Sequence, residues 1–241
     1  MLRAHHITKK FGQLIAVNNL SFHVKKGRIF GIAGPNGAGK STVYNLITGF
    51  YPFQGQIEFD GRDINGLPPH RIAQLGIART FQIPQSFPSL TVEKSVSVGN
   101  RFGSLEKFDP VYIDEMLYFA GLESQRHRPT GDLNLLGKKK LMIAAALATK
   151  PKILMLDEPM AGSNTKEIKA LMELIRRINV ELGVTIIIIE HFMKVLTELT
   201  ETLLIIETGT EICCGDPRVV TKEPRVIKSY LGEAYAEDHP S

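Results

Sequence analysis

The sequence predicts an α/β fold. A core of mixed sheet carries a phosphate-binding loop, with an N-terminal antiparallel β subdomain and an inserted helical subdomain. An apolar run, Ile29-Phe30-Gly31-Ile32-Ala33, leads into Gly34-Pro35-Asn36-Gly37-Ala38-Gly39-Lys40-Ser41, which has the spacing G-x-x-x-x-G-K-[ST] of a phosphate loop. After Lys150-Pro151 the pattern alternates strand, helix, strand, helix. Between these regions, residues 86–150 read as mostly helical with Gly- and Pro-containing connections. A chain of 241 residues fits one domain, 1–241, with 1–85 and 151–241 as the α/β core and 86–150 as the helical subdomain.

Residues 3–9 and 16–24 carry alternating or apolar patterns rich in β-branched residues, and they read as strands joined by the turn Gly12-Gln13. A second turn at Lys25-Lys26-Gly27 leads to the strand before the loop, and Thr42–Thr48 continues as a helix. Gln56–Phe59 is a short strand ended by Asp60-Gly61. Pro68-Pro69 opens a helix to about Leu75, because proline fits a helix's first turn. Gly76–Phe81 is strand-like. Helices follow over Thr91–Arg101, Val111–Ala120 and Lys138–Thr149. Lys152–Leu156 is a continuous apolar strand, and Lys166–Glu181 an amphipathic helix ended by Gly183. Asn164 with Glu167 three residues on has the spacing of a capping box. Thr185–Ile189 is a β-branched run suited to a strand covered on both faces. Leu203–Ile206 and Glu211–Cys213 form a hairpin around Thr208-Gly209, and the tail after Leu231 is polar.

The hydrophobic and charged fractions, 43% and 22%, are those of an ordinary globular protein. No apolar stretch approaches the roughly 18 residues needed to span a bilayer, and Met1–His6 lacks the apolar segment of a signal peptide. Adjacent Cys213 and Cys214 suggest neither a disulfide framework nor a metal site, and suit buried small side chains in a reducing compartment. Net charge is +4, and Lys138-Lys139-Lys140 and Arg176-Arg177 read as solvated helix faces rather than a nucleic-acid patch, since no aromatic residues interleave.

The loop implies a nucleoside triphosphate. Its glycines let successive N–H groups turn inward, so Asn36, Gly37, Ala38, Gly39, Lys40, Ser41 and Thr42 are the candidate contacts. Lys40 supplies a cation for the β/γ-phosphates, and Ser41 a hydroxyl for Mg²⁺. Downstream, Ile153–Leu156 ends in Asp157-Glu158, two carboxylates at the C-terminal end of a strand, where open α/β sheets bind ligands. Asp157 is the candidate Mg²⁺ ligand through water, and Glu158 the candidate general base. His191, after the strand Ile186–Ile189, is expected near Glu158 and the γ-phosphate. Gln82 is a candidate for contact with Mg²⁺ or the attacking water, and Phe11 for stacking on adenine.

Together these residues resemble the ATP-binding subunit of ABC transporters over nearly the whole chain. Gly76-Ile77-Ala78-Arg79-Thr80-Phe81-Gln82, Ala161-Gly162-Ser163-Asn164, Ile189-Glu190-His191 and the ending Val226–Glu233 look like the branched-chain amino-acid importer ATPases. The resemblance implies a P-loop NTPase core and a head-to-tail dimer closing on two ATP molecules with Mg²⁺. It also implies integral-membrane permeases, a second ATP-binding subunit, a solute-binding protein acting indirectly, and a peripheral place on the cytoplasmic face of the inner membrane. A lipopolysaccharide-extracting ATPase shares the Tyr-Leu-Gly-Glu ending, and a non-transport member acting on DNA or ribosomes is a third class. The motif wording and the lack of a second cassette favour the importer.

The chain departs from the family at several positions. Where Leu-Ser-Gly-Gly-Gln is usual, the alignment gives Leu133-Asn134-Leu135-Leu136-Gly137, with Gly137 as an alternative match to the family's glycine. Ala145 stands where arginine is usual, Asn164 where aspartate is, and Phe192 where this subfamily often has aspartate. In this family such a segment completes the partner's site, so the departure implies asymmetry. In a heterodimer, the site built on Lys40 and Glu158 should be the more active one. Glu158→Gln should therefore cost more hydrolysis than the equivalent change in the partner subunit, and equal losses in steady-state ATPase rate would sink the asymmetry.

Overall fold

The computed structural model describes residues 1–83, 87–103 and 106–231. The chain divides into two compact units, residues 1–68 with 186–241, and residues 69–185.

In the first unit, β1 (Leu2–Phe11) pairs antiparallel with β2 (Leu14–Val24) through the tight turn at Gly12-Gln13. β3 (Ile29–Ala33) is buried at every position, which explains its unbroken apolar run. The phosphate loop follows and feeds α1 (Lys40–Ile47), whose fully buried Tyr44 donates its hydroxyl to Ile187 O at 2.7 Å. β4 (Gln54–Phe59) pairs with β1, and the Asp60-Gly61 turn returns the chain into the two-residue β5 (Arg62–Asp63), an element too short to announce itself in sequence. The antiparallel sheet therefore runs β2-β1-β4-β5.

The second unit opens with α2 (Pro69–Leu75) and β6 (Ile77–Arg79). α3 (Val92–Phe102) starts on Thr91, whose hydroxyl accepts from Lys94 N–H. α4 (Pro110–Ala120) starts on Asp109, with proline in its first turn, and stops at Gly121 in the left-handed conformation. α3 and α4 pack on each other and on α5 (Leu135–Leu147). β7 (Ile153–Asp157) lies parallel to β6, and α6 (Thr165–Leu182) follows. The capping box expected at Asn164 is formed. Its Oδ1 accepts from Lys166 and Glu167 N–H at 3.0 Å each, while Glu167 Oε2 accepts from Asn164 N–H at 3.0 Å.

The chain then returns to the first unit with β8 (Thr185–Ile189), parallel to β3, followed by α7 (Met193–Leu199). β9 (Thr202–Glu207) is parallel to β3 on the other side, and β10 (Thr210–Gly215) closes the hairpin antiparallel to β9. A short α8 (Pro217–Val220) and the amphipathic α9 (Pro224–Leu231) complete the described chain, so the expected ending at Gly232-Glu233 lies outside the described residues.

Three expectations are corrected. α5 begins at Leu135, three residues before the expected start, because Asn134 caps it by accepting from Gly137 N–H at 2.8 Å. Lys139 is not on a solvated face. It is 2% exposed and shares a face with Ile143, Ala146 and Leu147. Cys213 and Cys214 are not core residues either; Cys213 is half-buried and Cys214 exposed, because β10 pairs its backbone with β9 while its side chains remain partly open.

The Asn164 cap is a separable contribution. Asn164→Ala should lower unfolding free energy by about 1 kcal/mol and Asn164→Asp by much less, read as a shift in urea midpoint at constant slope.

Candidate functional site

The phosphate loop is curved by close backbone approach at both ends. Gly34 has φ +154°, and a Cβ there would stand 2.0 Å from Ile206 O of β9. Gly39 has φ +101°, and a Cβ there would stand 2.3 Å from Ala16 O of β2. Neither position admits a side chain without moving a strand. Between them, Ala38 N–H donates to Pro35 O at 3.2 Å, and Gly209 N–H, from the β9–β10 turn, donates to Ala38 O at 2.9 Å. Gly209 O in turn accepts from Asn18 N–H of β2 at 2.8 Å, so one hairpin tip braces both the loop and the strand beside it. Asn36 and Gly37 form the exposed crest, and Ala38 is buried.

Gly39 is the N-cap of α1 and offers no side-chain cap, which leaves the first-turn N–H groups at Lys40, Ser41 and Thr42 suited to an anion. The buried Lys40 spans the loop, its Nζ donating to Gly34 O at 2.7 Å and Pro35 O at 2.9 Å. Ser41 is exposed and Thr42 half-buried. Phe11, at the end of β1, is 41% exposed and therefore not a core residue. Tyr51 meets its ring edge-on at a centroid distance of 5.2 Å, and Lys9 Nζ lies 4.8 Å from the same centroid. His191 lies two residues past β8, half-buried, in an apolar groove of about 490 Å³ lined also by Phe192, Val226, Ile227 and Tyr230. Burial pushes the Tyr230 phenol far up, opposed by the backbone N–H of Gly34.

The second unit holds the carboxylates. Asp157 is the last residue of β7 and Glu158 the first beyond it, in the left-handed conformation at φ +48°. Such a backbone is uncommon for a residue with a side chain, and is the kind of local strain that accumulates at functional sites. Gln82 Nε2 donates to Glu158 Oε2 at 2.6 Å, so the structure brings these two candidates together. Arg79 of β6 donates from Nη2 to Asp157 Oδ2 at 2.8 Å, with both side chains nearly buried. Thr80 N–H donates to Met155 O at 2.8 Å, extending the pairing of β6 with β7 as far as the carboxylates.

Two cations withdrawn from solvent, the half-buried Arg79 and the buried Lys139, are not among the expected site residues. Arg79 lies in the Gly76–Gln82 segment, where its sequence signal is a cation in an apolar strand. Lys139 Nζ donates to Ala161 O at 2.5 Å and to Ser163 Oγ at 2.8 Å, tying α5 to the loop after the carboxylates. Helical spacing from Ile143 and Ala146 would have placed it inward. On the same loop, Leu135 Cδ2 lies 3.4 Å from where a Cβ on Gly162 would be.

Residues 17–161 match the ABC transporter family. The chain is 37% identical to the high-affinity branched-chain amino acid transport ATP-binding protein BraF of Pseudomonas aeruginosa, over 97% of this chain and 98% of that one. It is 35% identical to the corresponding LivG protein of Escherichia coli K12, over 97% and 98%. Among solved structures it resembles the ADP conformation of MJ1267, an ATP-binding cassette of an ABC transporter, with a TM-score of 0.88, 30% identity and coverage of 97% and 99%. It also resembles the dimeric post-hydrolysis state of the cassette MJ0796 bound to ADP and Pi, with a TM-score of 0.80, 25% identity and coverage of 90% and 99%.

The loop geometry separates two glycines that look alike in sequence. Gly37 has φ +81° but open space around its Cβ position, whereas Gly39 has both a positive φ and a backbone oxygen in the way. Gly39→Ala should cost about 3 kcal/mol or more of stability and Gly37→Ala about 1 kcal/mol, compared by chemical denaturation of the two variants.

Proposed function

The chain belongs to the ABC transporter family as an ATP-hydrolysing subunit, and we propose that it powers uptake of branched-chain or related amino acids through partner permeases. The observation that carries the reading is the braced loop. Its curvature is fixed by Ile206 O and Ala16 O, and it ends in an uncapped helix N-terminus beside Lys40. The substrate class follows from the near full-length similarity to proteins named for branched-chain amino acid transport. Among the described residues no helix is long and apolar enough to cross a membrane, and the proposed path for the substrate lies in partner permeases.

The roles proposed for the residues follow from their chemistry. Backbone N–H groups of residues 36–42 hold the phosphates, and Lys40 exchanges its loop carbonyls for the β- and γ-phosphate oxygens. Phe11 offers its exposed ring to adenine. The oxygens proposed for Mg²⁺ are hard donors of the kind it prefers: in the first unit the exposed Ser41 hydroxyl, and in the second the amide oxygen of Gln82 and the Asp157 carboxylate, whose Oδ2 bonds Arg79. Bound Mg²⁺ would offset phosphate charge. Glu158 accepts a proton from the attacking water. Gln82 holds that carboxylate until the water takes its place, and His191 donates toward the γ-phosphate. A second ATP-binding subunit, a solute-binding protein and a position on the cytoplasmic face of the inner membrane complete the proposed assembly.

Lys40→Ala should weaken ATP binding by at least about 100-fold, read by fluorescent-nucleotide titration. In a complex purified with its permeases and placed in vesicles, the same change should reduce ATP-driven leucine uptake to background. Unchanged nucleotide affinity would refute the site, and a wild-type complex that hydrolyses ATP yet takes up no branched-chain amino acid would refute the substrate class.

A further inference from the structure

Asp157 and Glu158 are consecutive carboxylates at a strand end, and their mutual repulsion must be offset. One short segment supplies both partners, since Arg79 bonds Asp157 and Gln82 bonds Glu158. The partners differ in kind. Gln82 is neutral and can be exchanged for water, whereas Arg79 is a permanent cation whose side chain is 10% exposed against 7% for Asp157. Register fixes the ion pair: Arg79 stands opposite Met155 in the parallel ladder, and Asp157 N–H donates to Thr80 Oγ1 at 3.4 Å. The guanidinium carbon also lies 5.2 Å from the centroid of the Phe81 ring, a cation–π contact that holds the guanidinium in place.

Resting on the nucleotide reading above, we propose that Arg79 is a positioning residue that competes with the divalent cation for Asp157. It binds Oδ2, keeps the carboxylate in one orientation with Oδ1 available, and repels a cation that arrives alone. A triphosphate changes that balance by adding several negative charges, so Asp157 engages a cation only when it comes with nucleotide. The pair thereby suppresses futile occupation of the site by free divalent cation.

The test is Mn²⁺ binding to the nucleotide-free full chain, followed by electron paramagnetic resonance. Arg79→Gln and Arg79→Met remove the charge, and either should tighten Mn²⁺ binding about tenfold. Arg79→Lys keeps the charge and should stay within about threefold of wild type. Adding Asp157→Asn to Arg79→Gln should abolish the gain. Unchanged or weaker Mn²⁺ binding in the folded neutral variants, or a gain that survives Asp157→Asn, overturns the proposal. If neither neutral variant folds, the double variant Arg79→Gln/Asp157→Asn should recover a cooperative unfolding transition, because it removes the uncompensated charge; failure to recover would also overturn it. The Mn²⁺ arm needs no nucleotide, so its failure leaves the ATP reading standing. Absence of ATP binding by the wild type would instead overturn that reading alone.

Discussion

The phosphate loop depends on two backbone carbonyls that lie where side chains would otherwise be. Ile206 O closes on Gly34 and Ala16 O closes on Gly39, at distances that exclude any Cβ. The loop is therefore shaped from outside by β9 and β2, and its glycines are the residues that tolerate that shape. The Gly209 turn adds the third support, accepting from β2 and donating to the loop in one step. What surrounds the loop follows from this constraint. β3 must be buried on both faces to deliver the chain to the loop, α1 must leave it without a side-chain cap, and Lys40 must fold back across it.

A different economy governs the second unit, where buried charge does the positioning. Arg79 and Lys139 are both withdrawn from water, and such cations are tolerated only with good partners. Arg79 has a carboxylate and Lys139 a carbonyl and a hydroxyl, all at hydrogen-bond distance. The two cations flank one stretch of chain, since Asp157 precedes the left-handed turn at Glu158 and Ala161–Ser163 follow it. That stretch ends at Asn164, which caps α6. Residues 157–164 are thus pinned at the start by an ion pair, in the middle by a lysine and at the end by a capping box.

Much of this was legible in sequence because it is local. The phosphate loop, the Asn164–Glu167 box and the Thr208-Gly209 turn are fixed by residue type at short spacing, and they lie where the spacing put them. The run Thr185–Ile189 matched its strand because five consecutive β-branched residues allow little else. Failures came where tertiary context decides. In sequence α5 reads as starting at the basic run and not at Asn134, since Leu135 and Leu136 give no local sign of a helix's first turn. Lys139 reads as solvated with its lysine neighbours because charge clusters hide helical phase. Arg79 gains its partner only from the register of β6 beside β7, which neither strand's sequence encodes.

The altered segment before α5 shows what is preserved when its sequence changes. Asn134 still caps the helix, and Gly137 is buried in its first turn, where a Cβ would stand 3.1 Å from the capping oxygen and 3.3 Å from Leu133 Cβ. Gly137 therefore serves the cap, while Leu135 is exposed and Leu136 half-buried. A helix N-terminus, with its partial positive charge, survives here. What is given up is the bare backbone that glycines would present. Leu135 instead packs over Gly162, and Lys139 holds the same loop one turn further along. Leu135 thus packs on this chain's own turn after Glu158, and its 40% exposed side chain makes the helix N-terminus bulkier than a glycine there would.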